Sequence, residues 1–226
     1  MHIDDVPTPA LLLDLDRLEA NLERMADRTR DLGVRLRPHA KTHKCVEIAR
    51  RQRELGAPGL TVSTLHEARV FADHGFDDMT WAFPIVPSRI PEAAALSRDV
   101  TLRVVVDSPE AVDALVRERH PFRVMLQVDC GYGRVGVDPY GDRAVELARR
   151  ISDAGRLHFD GILTHSGHGY DARGAEELAA VAEEERSVME GFAIRLRDEG
   201  IEVPTVSVGS TPATSHARDL TGVTEA

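Results

Sequence analysis

From Pro9 onward, short runs of Leu, Val and Ile alternate with longer stretches whose apolar residues return every three or four positions. The short runs predict extended segments at 10–15, 34–40, 59–64, 78–83, 101–106, 122–129, 157–164 and 204–210. The longer stretches predict helices over 16–31, 44–55, 66–74, 109–119, 140–154 and 173–199. In LARRISDAG and LRDEG, basic side chains followed by glycine complement a helix C-terminus. Runs such as LRVVV and RVMLQV are nearly all apolar, which implies burial on both faces and hence a parallel sheet under helices. No G-x-G-x-x-G follows the early strands, and polar residues recur at the strands' C-terminal ends. A barrel is therefore expected over a doubly wound sheet. The expected fold class is α/β, with one domain over residues 1–226.

Composition narrows the partners. At 226 residues with 42% hydrophobic and 29% charged content, the chain can bury a sizeable core. A formal net charge of -10 disfavours nucleic acid and anionic membrane and leaves a small molecule as the expected partner. Cys45 and Cys130 form no C-x-x-C pair, consistent with a reducing, cytoplasmic setting. The first residues lack a basic leader, and no segment approaches ~20 apolar residues, so secretion and membrane spanning are not expected.

Four polar segments follow predicted strands. The first, Arg37-Pro38-His39-Ala40-Lys41-Thr42-His43-Lys44, crowds cations at a strand end. Desolvation and neighbouring charge there lower a lysine's pKa and make its amine nucleophilic. Lys41 suits that role better than Lys44, although both could be solvated loop residues. The second segment, Asp129 to Gly136, contains Arg134, which can hold a ligand's negative oxygen or pair with Asp129 or Asp138. In the third, Thr164 to Tyr170, His165 and His168 lack a third metal ligand at useful spacing, so no metal site is expected. The fourth, Val208 to Thr214, offers glycine, hydroxyls and free amides suited to a phosphate, or simply a turn with a helix cap.

Together with Pro7-Thr8-Pro9-Ala10, these segments resemble, in order, the D-threonine aldolase and D-serine dehydratase family. Those proteins are fold type III pyridoxal-phosphate enzymes related to alanine racemase. The resemblance implies a (β/α)8 TIM-type barrel of the alanine racemase N-terminal type, with pyridoxal 5'-phosphate as cofactor. Lys41 would form the Schiff base and Arg134 would reach the cofactor ring. His165 would face the ring and Tyr170 the phosphate, with Gly209, Ser210 and Thr211 as the phosphate loop. His39 and His43 would be neighbours in the pocket. The implied reaction is retro-aldol cleavage of a D-3-hydroxy amino acid to glycine and an aldehyde. D-serine dehydration and non-catalytic cofactor binding are the alternatives. Relatives continue into a last barrel strand and a C-terminal β-domain carrying a divalent-metal site, whose ligands match no residue here. Residues 10–15 would pair with that domain, leaving seven barrel strands, an open edge and a possible homodimer.

Overall fold

In the computed structural model, which describes residues 2–226, eight helices alternate with a six-stranded parallel sheet. The strands are β1 (Leu60–Val62), β2 (Asp78–Pro84), β3 (Thr101–Val106), β4 (Arg123–Gln127), β5 (His158–Leu163) and β6 (Thr205–Ser207). Each pairs with the next in sequence, the arrangement of a TIM-like α/β barrel. The helices are α1 (Leu15–Asp31), α2 (Val46–Glu54), α3 (Leu65–Asp73), α4 (Ile90–Leu96), α5 (Pro109–Glu118), α6 (Asp142–Ser152), α7 (Ala175–Asp198) and α8 (Thr211–His216). Among the described residues, no helix is long and apolar enough to cross a membrane.

Local chemistry starts these helices where the sequence lets it. Asp14 accepts the Arg17 N–H at 3.0 Å ahead of α1. Thr64 accepts the Glu67 N–H at 3.1 Å while Glu67 Oε2 accepts the Ser63 N–H at 2.8 Å, close to a reciprocal capping box at α3. Six helices match the periodic stretches. The short α4 does not run long enough to show a period, and α8 follows the helix-cap alternative at Ser210 without a period of its own.

One predicted strand is corrected, and the segment predicted at 10–15 finds no strand partner among the described residues. Residues 10–13 make no backbone hydrogen bond among the described residues, Leu11, Leu12 and Leu13 are exposed, and Leu15 opens α1. An extended segment becomes a strand only against a partner. Residues 34–40 form only isolated bridges, Arg35 with Glu225 and His39 with Thr61. The open edge is corrected as well. Ala40 N–H donates to Thr61 O at 2.8 Å, covering β1. Thr224 N–H donates to Val206 O at 2.9 Å and Val208 N–H to Glu225 O at 3.1 Å, covering β6. Arg37 N–H reaches Ala226 O at 2.8 Å, so backbone hydrogen bonds run round from β6 to β1. Outside this seam, α1 packs between α2 and α8.

The main core lies between sheet and helices and holds Leu102, Val104 and Val106 of β3 together with Val112 and Leu115 of α5 among others. Val105, Met125 and Leu163 form a separate small cluster on the opposite face. Two residues earlier on the same face of β3, Arg103 joins an ion-pair ladder. Glu225 pairs with Arg37 at 2.9 Å and Arg37 with Asp78 at 2.7 Å. Asp78 pairs with Arg103 at 2.6 Å and Arg103 with Asp160 at 3.0 Å, and Arg123 completes the ladder on Asp160 at 2.8 Å. The barrel is thus charged at its N-terminal end, apolar in the middle and open at the C-terminal end of its strands.

Candidate active site

At that open end, every site residue expected from the sequence, from Lys41 to Thr211, lines one cavity of about 650 Å³. Lys41 sits in the turn before α2, its N–H donating to His39 Nδ1 at 3.3 Å. Burial, and after it the Arg134 charge, hold the Lys41 amine below the usual lysine range, with Glu67 acting against them. Lys44 is spent elsewhere: its Nζ lies 2.8 Å from Glu67 Oε1. It also lies ahead of α2, at φ 47, rather than opening that helix. The ion pair is the physical reason to separate the two lysines. His39, pushed down to about 4 by burial and by Lys41, is a neutral neighbour.

Arg134 comes from the loop after β4. It pairs with neither Asp129 nor Asp138, and it makes no ion pair among the described residues; its guanidinium lies 5.3 Å from the Tyr132 ring centre. Asp129 instead shapes the loop, accepting the N–H groups of Gly131 at 3.0 Å and Gly133 at 2.9 Å. Tyr132 in turn packs where Gly167 has no side chain, and a Cβ there would collide with the ring. That contact brings the loops after β4 and β5 together.

His165 follows β5 and lies 3.0 Å from the Gly209 carbonyl through Nδ1. A carbonyl only accepts, so Nδ1 carries the proton and Nε2 keeps its lone pair in the neutral ring. Burial lowers the His165 pKa, which favours that neutral form. Tyr170 is exposed at the rim, its ring 6.3 Å from that of His165. Ser210 is buried and its hydroxyl caps α8 on the Ala213 N–H at 3.4 Å, so its backbone amide is the group left to a ligand. Thr211 is exposed beside it.

One residue of this site escaped the sequence reading. Glu185, on α7, is 2% exposed, and its Oε1 accepts the N–H groups of Ser166 at 3.0 Å and Gly209 at 3.1 Å. Burial pushes its carboxyl up to about 7. The available signal was position: Glu185 falls in the buried stripe Ala179, Ala182, Met189, Phe192, where an acid is out of place.

A parallel α/β barrel with a solvent-accessible lysine of lowered pKa and an arginine free of ion pairs among the described residues at its mouth defines the class. The alanine racemase N-terminal domain family matches residues 13–224, and the chain belongs to it. It is 43% identical to D-threo-3-hydroxyaspartate dehydratase of Delftia sp. (strain HT23), over 96% of this chain and 59% of that protein. It is 34% identical to D-threonine aldolase of Arthrobacter sp, over 91% of this chain and 55% of that one. The solved Delftia enzyme superposes with a TM-score of 0.95 at 40% identity, covering 98% of this chain and 60% of its own. The chain therefore spans less than two thirds of the length of these relatives.

The donor set fits a phosphorylated aldehyde such as pyridoxal phosphate. An amine of lowered pKa, an unpaired guanidinium and the unbonded amides of Ser210 and Thr211 share one cavity. Gly209, at φ 132, takes a backbone conformation that a side chain would strain, and a Cβ would crowd Thr214 Oγ1 at 3.2 Å. No group of three or more His, Cys, Asp or Glu among the described residues is arranged to hold a metal ion, and no metal ligand is assigned.

Proposed function

We propose that this chain carries the cofactor-binding barrel of a pyridoxal-phosphate-dependent lyase acting on D-3-hydroxy amino acids. The observation that carries the reading is the convergence of Lys41, Arg134 and His165 on one cavity, with burial and Arg134 holding the Lys41 amine below its ordinary pKa. In this reading the segments at 35–39 and 224–226 serve as the first and last staves of an eight-stave barrel.

Lys41 Nζ is the attachment point, and its depressed pKa keeps a larger share of it unprotonated near neutral pH. The cofactor, when bound, supplies an electron sink for the substrate's α-carbon. Arg134, free of carboxylate partners, holds negative charge on the ligand. His165 spends Nδ1–H on Gly209 and presents Nε2 as an acceptor. The Ser210 and Thr211 amides hold the phosphate.

Dehydration is the favoured reaction, because identity to a D-3-hydroxyaspartate dehydratase is 43% against 34% to a D-threonine aldolase. Retro-aldol cleavage, the reaction first expected from the sequence, is the second reading, supported by that same aldolase relative. D-threonine distinguishes them in one assay with pyridoxal phosphate and added divalent metal. Loss of water followed by hydrolysis yields 2-oxobutanoate and ammonia, whereas Cα–Cβ cleavage yields glycine and acetaldehyde. Release of neither a 2-oxo acid with ammonia nor glycine with an aldehyde from D-threonine, D-serine and D-3-hydroxyaspartate would refute the lyase reading.

A further inference from the structure

Among the described residues Glu185 is a buried carboxyl with no cationic partner: the Ser166 and Gly209 backbone N–H groups and the Ser166 hydroxyl stabilise its charge. Burying a carboxyl without a cation is costly, so what it holds matters. Both backbone bonds converge on a single oxygen, Oε1. The two amides belong to the loops that follow the neighbouring strands β5 and β6. Those loops carry His165 on one side and Ser210 and Thr211 on the other.

Gly209 is gripped twice. Its N–H donates to Glu185 and its carbonyl accepts from His165 Nδ1 at 3.0 Å. The hydroxyls of Ser166 and Ser210, 3.4 Å apart, join the same loops at a further point. Without the Glu185 oxygen, the buried Ser166 N–H and the part-buried Gly209 N–H lose their partners and the peptide that orients His165 loses its anchor.

We propose that Glu185 is a positioning residue for the cofactor site. Its Oε1 fixes the separation of the two loops, so that His165 and the Ser210 and Thr211 amides address the same ligand. This rests on the reading of the mouth as a pyridoxal-phosphate site. Either protonation state of the carboxyl leaves one oxygen able to accept both bonds, and so does the amide of a glutamine.

The test compares wild type with Glu185→Gln and Glu185→Asp. Hydrogen exchange at the Ser166 and Gly209 amides is followed without cofactor, and pyridoxal phosphate is titrated separately with inorganic phosphate as competitor. Glutamine is expected to keep both amides protected and the affinity within about threefold. Aspartate, one methylene shorter, is expected to release the amides and to weaken pyridoxal phosphate and inorganic phosphate by about tenfold or more in a chain that remains folded. A folded Glu185→Asp variant that binds like wild type would overturn the proposal. So would a Glu185→Gln variant weakened as much as the aspartate, since charge rather than acceptor placement would then matter. Wild type that fails to bind pyridoxal phosphate refutes the cofactor reading itself, while the exchange data still decide whether Glu185 ties the loops.

Discussion

The residues of the mouth act on one another through charge and burial more than through direct contact. Lys41 is depressed first by desolvation and then by Arg134. Replacing Arg134 with leucine removes the second influence, so the pH at which Lys41 captures pyridoxal phosphate should rise, and a capture rate measured across pH reads it. An unmoved profile would mean that the two side chains do not interact. At the other end of the barrel, Arg37 and Glu225 are 3% and 1% exposed and bind at 2.9 Å. Glu225→Ala leaves the guanidinium with Asp78 alone, and removing one partner of a buried pair costs about 3–5 kcal/mol. Urea denaturation should show that loss. A loss near zero would mean that the ladder contributes little. Lys41 was legible because it sits in a contiguous motif. Glu185 was not, because its partners lie 19 and 24 positions away and no local spacing marks them.

Elements were legible in proportion to length and hydrogen-bond support. The 24-residue α7 and the strand β3 follow from their apolar patterns, and β3 matches the expected boundaries of 101–106. Residues 34–40 read as a strand, yet their backbone is bonded only at scattered points to β1 and to 224–226. Alternating Arg35 and Arg37 reflect this: one side chain is exposed and the other runs into the ion-pair ladder. The short α8 is set by Ser210 capping and Pro212 in its first turn, which resemble an ordinary loop when read alone. Helix α3 offers a direct check on capping. Thr64→Ala removes the bond to the Glu67 N–H and should cost about 1 kcal/mol. Because Glu67 also holds Lys44, the variant should loosen the turn that carries Lys41, which exchange at that turn would reveal.

The whole molecule responds to pH through groups that oppose each other. His39, lowered to about 4, gives stability that is complete above pH 6.5 and is lost as pH falls towards 4. Glu185, raised from 4.5 to about 7 by burial, is protonated more readily in the folded chain. Its contribution is complete below pH 4.5 and is lost as pH rises through about 7. The stability difference between wild type and Glu185→Gln should therefore fall between those limits, and a flat difference would mean that the carboxyl is not desolvated. The closed seam at 224–226 was hidden from the sequence because three residues carry no pattern, whereas their bonds to Arg35, Arg37, Val206 and Val208 join the two ends of the sheet. That closure brings the Lys41 turn and the Gly209 loop to the same cavity. The most direct test of the site is to mix the chain with pyridoxal phosphate, reduce with borohydride and locate the adduct by peptide mass spectrometry. The expected result is a visible absorbance band on mixing and a single adduct at Lys41, both absent in Lys41→Ala. An adduct at Lys44 or divided between Lys41 and Lys44, the chain's two lysines, in folded protein, or a band that survives in Lys41→Ala, would contradict the assignment.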